Sequence, residues 1–208
     1  MKILLTLGLI FLTHTTSASA SENCTYTIVK GSEHIAWTGF KYTEKAGVGG
    51  SFDTLTVESK ESKSVEELLK SISFKIDTDS INSGNPARDE TLKKTVFKFL
   101  SIPKTIKGEV LSVEDKALKF KMTLNEEMEA QFGYSYTEGT LSAMGAIDLT
   151  KNGLLKSFNA VHEACKILHT GKDGKSKTWA DVKINLKAQV EEKCSKGFIE
   201  SIKGWFNS

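Results

Sequence analysis

The stretch FKIDTDSINSGNPARDETLKKTVF, residues 74–97, decides the fold. Phe74, Ile76 and Thr78 alternate with Lys75, Asp77 and Asp79. That period of two predicts a strand with one face in an apolar core. Asn82, Ser83, Gly84 and Asn85 then break the strand, because such residues favour turns over ladders. Pro86 has no N–H to give a neighbouring strand, so the chain cannot simply resume. A short helix over residues 88–94 is the natural next element, and Leu92 and Phe97 return apolar side chains to the core.

The same alternation recurs on both sides. Residues 26–40 and 48–57 read as an opening hairpin, with Ile35 and Trp37 on one face. Ser64-Val65-Glu66-Glu67 has the form of a capping box and predicts a short helix that turns Val65, Leu68, Leu69 and Ile72 inward. Further strands are expected at 102–113, 117–124, 129–137 and 139–149. In the second of these, Leu118, Phe120, Met122 and Leu124 alternate with Lys119, Lys121 and Thr123, so one face is wet. A helix over 154–168, a polar turn at 171–174 and a long strand over 177–192 follow. Short strands at this spacing favour an antiparallel sandwich or barrel over a parallel sheet.

Within the opening stretch, Ile76, Asp77, Ser80, Ile81, Gly84, Asn85, Arg88, Asp89, Leu92 and Phe97 resemble the YceI-like family of secreted polyisoprenoid-binding barrels. His34, Ile35, Trp37 and a turn at Gly49-Gly50-Ser51-Phe52 are similar to that family's opening hairpin, so the likeness covers roughly residues 26–99. Two features depart from it. Thr91 stands where the family usually has a His after the Arg-Asp pair, and residues 154–177 carry a helix and a cysteine outside the common form. The resemblance implies a mainly β fold: an antiparallel, eight-stranded lipocalin-like barrel capped by short helices. It also implies a binding protein without catalytic residues or cofactor, whose ligand is a long-chain isoprenoid or fatty lipid, polyprenyl or quinone type. On that reading Trp37, Phe52, Phe74, Ile76, Phe120 and Met122 line an apolar cavity, and Asn85, Arg88 and Asp89 form its polar rim. A plainer account of the rim is that Asp89 favours the first turn of its helix and Arg88 ties the turn to a neighbouring carboxylate.

Lys2, an apolar run at 3–12 and Ala18-Ser19-Ala20 read as a secretory signal cleaved after Ala20. The run is too short for a membrane helix, which needs about 20 apolar residues. Residues 21–208 are then expected to form one barrel domain, periplasmic or secreted. Without Lys2 the formal charge falls from +2 to +1, and the charged residues are scattered. Such a chain lacks the basic footprint of a nucleic-acid binder; the partners that the resemblance implies are lipid and, transiently, a membrane surface. A terminal helix at 197–206, with Phe198, Ile202 and Trp205 on one side, reads as a lid on the barrel because it has no basic polar face.

Three cysteines in an exported chain allow one disulfide and leave one thiol. In a closed antiparallel barrel of even strand number, the first and last strands are neighbours running in opposite directions. Cys24, just before the first strand, and Cys194, just after the last, are then the expected pair; a bond between Cys165 and Cys194 is the alternative.

His162, Cys165 and His169, at i, i+3 and i+7 of the expected helix, project within about 60° of one another and could hold a metal. A metal-dependent enzyme is therefore an alternative function, although Cys165 also centres an apolar stripe of Phe158, Val161, Ala164 and Leu168. Gly171 to Ser176 lacks the upstream glycine of a phosphate loop and leads from helix to strand, the reverse of what such a loop requires. No Gly-x-Ser-x-Gly elbow is present. Asn23-Cys24-Thr25 is read as a chance match to a glycosylation sequon. A third reading is an exported stress or structural protein whose barrel is filled by its own side chains.

Overall fold

The computed structural model describes residues 23–102 and 104–195. The expected leader and the expected helix at 197–206 lie outside the described residues. Most of the described chain forms one compact unit, Cys24–Lys193. Its strands are β1 (Asn23–Ile28), β2 (His34–Lys41), β3 (Ala46–Phe52), β4 (Leu55–Glu58), β5 (Ser73–Asp77), β6 (Ile81–Asn82), β7 (Thr105–Glu114), β8 (Ala117–Thr123), β9 (Glu127–Thr137), β10 (Thr140–Asp148) and β11 (Asp181–Ser195). Three helices, α1 (Val65–Lys70), α2 (Pro86–Thr95) and α3 (Leu155–Ala164), interrupt them.

All eleven strands belong to one curled antiparallel sheet, in the order β4-β5-β7-β8-β9-β10-β11-β2-β3-β6, with β1 on β11. Eight strands were expected, and kinks account for the difference. β3 runs into β4 through Asp53 and Thr54, and β5 into β6 through a single 3-10 turn at Thr78–Ser80. The two broken strands pair with each other, β4 with β5 and β3 with β6. Across the kink the Asp53 N–H donates to the Ser80 carbonyl (3.0 Å) and the Asp77 N–H to the Thr54 carbonyl (3.1 Å), so the two ends of the strand order meet and the sheet closes on itself. β1 and β2 likewise follow the same edge of β11, where Val29 N–H donates to Gln189 and Lys187 pairs with His34. The opening strand expected at 26–40 is thus broken by the 29–33 turn, where Gly31 takes φ +83°.

The segment at 74–97 folds in the order its sequence predicts. Gly84 takes φ +71°, a left-handed conformation that suits glycine. Asn85 caps α2, its side chain accepting the Arg88 N–H at 3.1 Å, and Pro86 fills the first turn, where a missing N–H costs nothing. Ser64 caps α1 by accepting the Glu67 N–H, and the Glu67 carboxylate answers by accepting the Lys63 N–H. The stretch 49–52, expected as a turn, lies inside β3; the hairpin instead turns at 42–45, where Tyr42 and Lys45 take positive φ. Gly50 is needed in the strand, because a Cβ there would come within 2.6 Å of the Trp37 ring and of the Asn82 carbonyl.

The interior has two differently closed ends. At one, α1 inserts Leu68 and Leu69, both fully buried. At the other, α2 and α3 lie together, tied by the Ser157 hydroxyl of α3, which donates to the carbonyl of Val96, the residue that ends α2, at 2.8 Å. α3 ends at Ala164, four residues before the expected end, and residues 165–169 continue as turns. His162, from α3, and His169, from the looser turn, both reach the Thr178 hydroxyl.

Candidate functional site

Between the helical cap and the middle of the barrel lies a cavity of about 470 Å³. Its wall comes from alternate strand positions, since the inward face of a strand repeats every second residue. Trp37, Phe52, Phe74, Ile76, Phe120 and Met122 all stand on it. Phe132, which the sequence did not single out, closes the floor. Its ring lies 5.1 Å from that of Phe120, which in turn meets Phe74 edge-on at 6.0 Å. Below these rings a second space of about 70 Å³ reaches Leu69 of α1 and shares Phe74 and Phe120 with the main cavity. β11 adds Val182, Ile184 and Leu186 to the wall, whose alternation with Lys183 and Lys187 was legible in the sequence.

The helical end is polar. Asn85, which caps α2, and Arg88 within it reach the wall, as does Lys41 at the end of β2. Arg88 has no carboxylate partner among the described residues; its guanidinium donates to the Ser83 carbonyl at 3.5 Å, in place of the ion pair considered from sequence. Asp89 is not on the wall. Its carboxylate accepts the Ser83 N–H (3.0 Å) and hydroxyl (2.6 Å), which fastens the turn before α2. The rim thus keeps its cation and turns its carboxylate aside.

His162, Cys165 and His169 do not converge as metal donors. Among the described residues, the one group of three potential donor side chains with atoms within 4.8 Å of one another is Cys24, Glu192 and Cys194. Cys24 and Cys194 are disulfide-bonded and Cys165 is a free thiol, which is the pairing expected from the sequence. The two histidines instead share Thr178, with Nδ1 of His162 and of His169 at 3.0 and 2.7 Å from its hydroxyl oxygen. Both Cys165 and His169 line the cavity. Burial pushes the Cys165 thiol up, against the opposing influence of Lys41 and Arg88. Burial, and then the positive charge of Lys41 and the nearness of His162, hold His169 below its ordinary value. A neutral His169 and a protonated thiol make this corner polar without adding charge, whereas Lys41 and Arg88 supply two cations and the described residues of the wall include no carboxylate.

A family model for the YceI-like domain matches residues 26–190. The chain belongs to the YceI-like family. No curated protein sequence matches it. Among solved structures, the YceI-like fold is matched by a polyisoprenoid binding domain from Saccharophagus degradans implicated in plant cell wall breakdown, with 12% identity, 83% of this chain and 99% of that one covered, and a TM-score of 0.53. Burkholderia cenocepacia BcnA matches with 13% identity, 79% and 99% coverage and a TM-score of 0.51. Where the YceI-like resemblance led one to expect a His, Thr91 lines the cavity with its hydroxyl donating to the Ala87 carbonyl at 2.9 Å. Among the described residues, the imidazole on the wall is that of His169.

Proposed function

We propose that the protein binds a long-chain isoprenoid or related lipid, polyprenyl or quinone type, with the tail in the barrel and the head at the Lys41 and Arg88 end, as an exported carrier or store. The observation that carries this reading is the apolar cavity of about 470 Å³, closed at its floor by three aromatic rings and polar at its helical end. That volume falls in the usual range of ligand pockets, roughly 300–1,000 Å³. Each methylene withdrawn from water contributes about 0.8 kcal/mol, so a long tail binds tightly with few polar contacts. Such a function needs no catalytic residue, and a binding protein fits the site better than an enzyme does. The polyisoprenoid-binding relative from Saccharophagus degradans supports the ligand class. The leader-like residues 1–20 and the disulfide support export to an oxidising compartment such as the periplasm.

Organic extraction of the purified protein followed by mass spectrometry tests the reading. An isoprenoid-type lipid in stoichiometric amount is expected. Phe120→Asp, which puts a charge on the floor, should abolish it. Ala87→Trp plugs the mouth from an exposed helix position, where folding is spared, and should do the same. Lipid content unchanged in the folded Ala87→Trp protein would overturn the reading.

A further inference from the structure

The cavity opens beside an apolar tip. Ile167 and Leu168, 88% and 69% exposed, are the two most exposed large hydrophobic side chains among the described residues. Both lie in the turns after α3, and Leu168 also lines the cavity, so tip and wall form one continuous apolar surface. The segment that carries them is tied to the β2–β3 hairpin. Tyr42 N–H donates to the Lys177 carbonyl (3.0 Å), and the Thr43 hydroxyl donates to the Asp173 carboxylate (2.9 Å).

Charge gathers at the same place. Residues 41–45 and 163–177 together hold six lysines against three carboxylates, Glu44, Glu163 and Asp173, in a chain whose formal charge is +2 overall. Lys45 and Lys166 have carboxylate partners, at 2.8 and 3.9 Å. Lys41, Lys172, Lys175 and Lys177 have none within salt-bridge distance among the described residues. Lys41 lies over the Tyr42 ring at 4.6 Å, and Lys177 over the Trp179 ring at 5.0 Å. Aromatic rings with lysines beside them suit the boundary between lipid and water, where the ring sits among headgroups and the ammonium extends to the phosphates.

We propose that Ile167 and Leu168, framed by Lys41, Lys172, Lys175 and Lys177, dock the cavity mouth onto the surface of an anionic lipid bilayer. The inference rests on the lipid-binding reading and adds to it the route of loading. A tail that passes from bilayer to cavity along Leu168 is never fully exposed to water, and each methylene so sheltered lowers the barrier to transfer. Two apolar side chains are too few for the core of a protein interface of about 800 Å² per partner, whereas shallow insertion needs few of them when lysines supply the attraction.

Flotation with vesicles of phosphatidylcholine, alone or mixed with phosphatidylglycerol, tests the docking. An environment-sensitive apolar dye, taken up from solution without vesicles, reads the cavity separately. The wild-type protein should float with the anionic vesicles, more weakly as salt rises, and much less with phosphatidylcholine alone. Ile167→Asp, and separately Lys172→Glu with Lys175→Glu, none of them residues of the cavity wall, should each weaken flotation by about tenfold or more while dye uptake is retained. Equal flotation of the variants and the wild type, or no flotation of a wild type that takes up dye, would overturn the docking. Absence of dye uptake by the wild type would instead count against the cavity reading, whatever the vesicles show.

Discussion

The Phe132 ring occupies the space that a side chain on Gly145 would need. Phe132 lies in β9 and Gly145 in β10, one step beyond the last paired residues, Gly133 and Met144. A Cβ built on Gly145 would come within 2.0 Å of the ring carbon Cδ1. Glycine therefore lets an aromatic from the neighbouring strand lie flat against the inner wall, where it forms the floor of the cavity. Gly108 of β7 does the same for Phe74.

Gly145→Ala should accordingly destabilise the barrel by about 1–3 kcal/mol, the usual cost of overpacking a filled site. Gly39→Ala serves as the control, because a Cβ there meets nothing within 4 Å. Urea denaturation should show a lowered midpoint with unchanged slope for Gly145→Ala and little change for Gly39→Ala. Equal midpoints for the two variants would mean that the ring can move aside at no cost.

The bond between Cys24 and Cys194 joins residues about 170 apart. Chain-entropy models give roughly 5 kcal/mol for a loop of that length, an upper figure that measured cases often miss. Reduction, or Cys24→Ser with Cys194→Ser, should lower the urea midpoint substantially. Hydrogen exchange should report early loss of protection at the Val29 N–H, which donates to Gln189 where β1 meets β11. A midpoint insensitive to reductant would contradict a structural role for the bond.

Cys165 offers a native probe of occupancy. Its thiol lines the cavity, and burial keeps it protonated at neutral pH, so it should react with maleimide more slowly than the same thiol in urea. An apolar occupant should slow it several-fold further. Labelling at the same rate with and without a saturating apolar ligand would place that ligand elsewhere.

His169 gives the pH dependence a definite sign. Its value in the folded chain is lowered from 6.5, chiefly by burial. Above about pH 6.5 neither the folded nor the unfolded chain holds the proton, and the full stability is present. As the pH falls through that value the unfolded chain takes up a proton that the folded chain resists, so stability declines until the folded value is reached. The urea midpoint should therefore drop on mild acidification, and His169→Gln should show a shallower drop over the same interval. A steeper drop in the variant would reverse the assignment.

Sequence alone determined the strand-turn-helix of residues 74–97 and the alternation that turns Ile76, Phe120 and Met122 inward. Both follow from local rules: a period of two fixes the face, and Asn85, Gly84 and Pro86 fix the turn and the helix start whatever surrounds them. Tertiary structure decided the rest. The eight expected strands became eleven because kinks at Asp53 and Thr54, at the 3-10 turn Thr78–Ser80 and at residues 29–33 depend on how broken strands pair across the barrel. A helical wheel placed His162, Cys165 and His169 together, but Thr178, nine residues beyond His169, draws the imidazoles onto one hydroxyl. Asp89 left the rim because Ser83 offers it two donors, whereas Arg88 beside it meets no carboxylate among the described residues. The floor of the cavity was illegible for the same reason: Phe132 and Gly145 are thirteen positions apart, and only the pairing of β9 with β10 makes the absence of one side chain the place of the other.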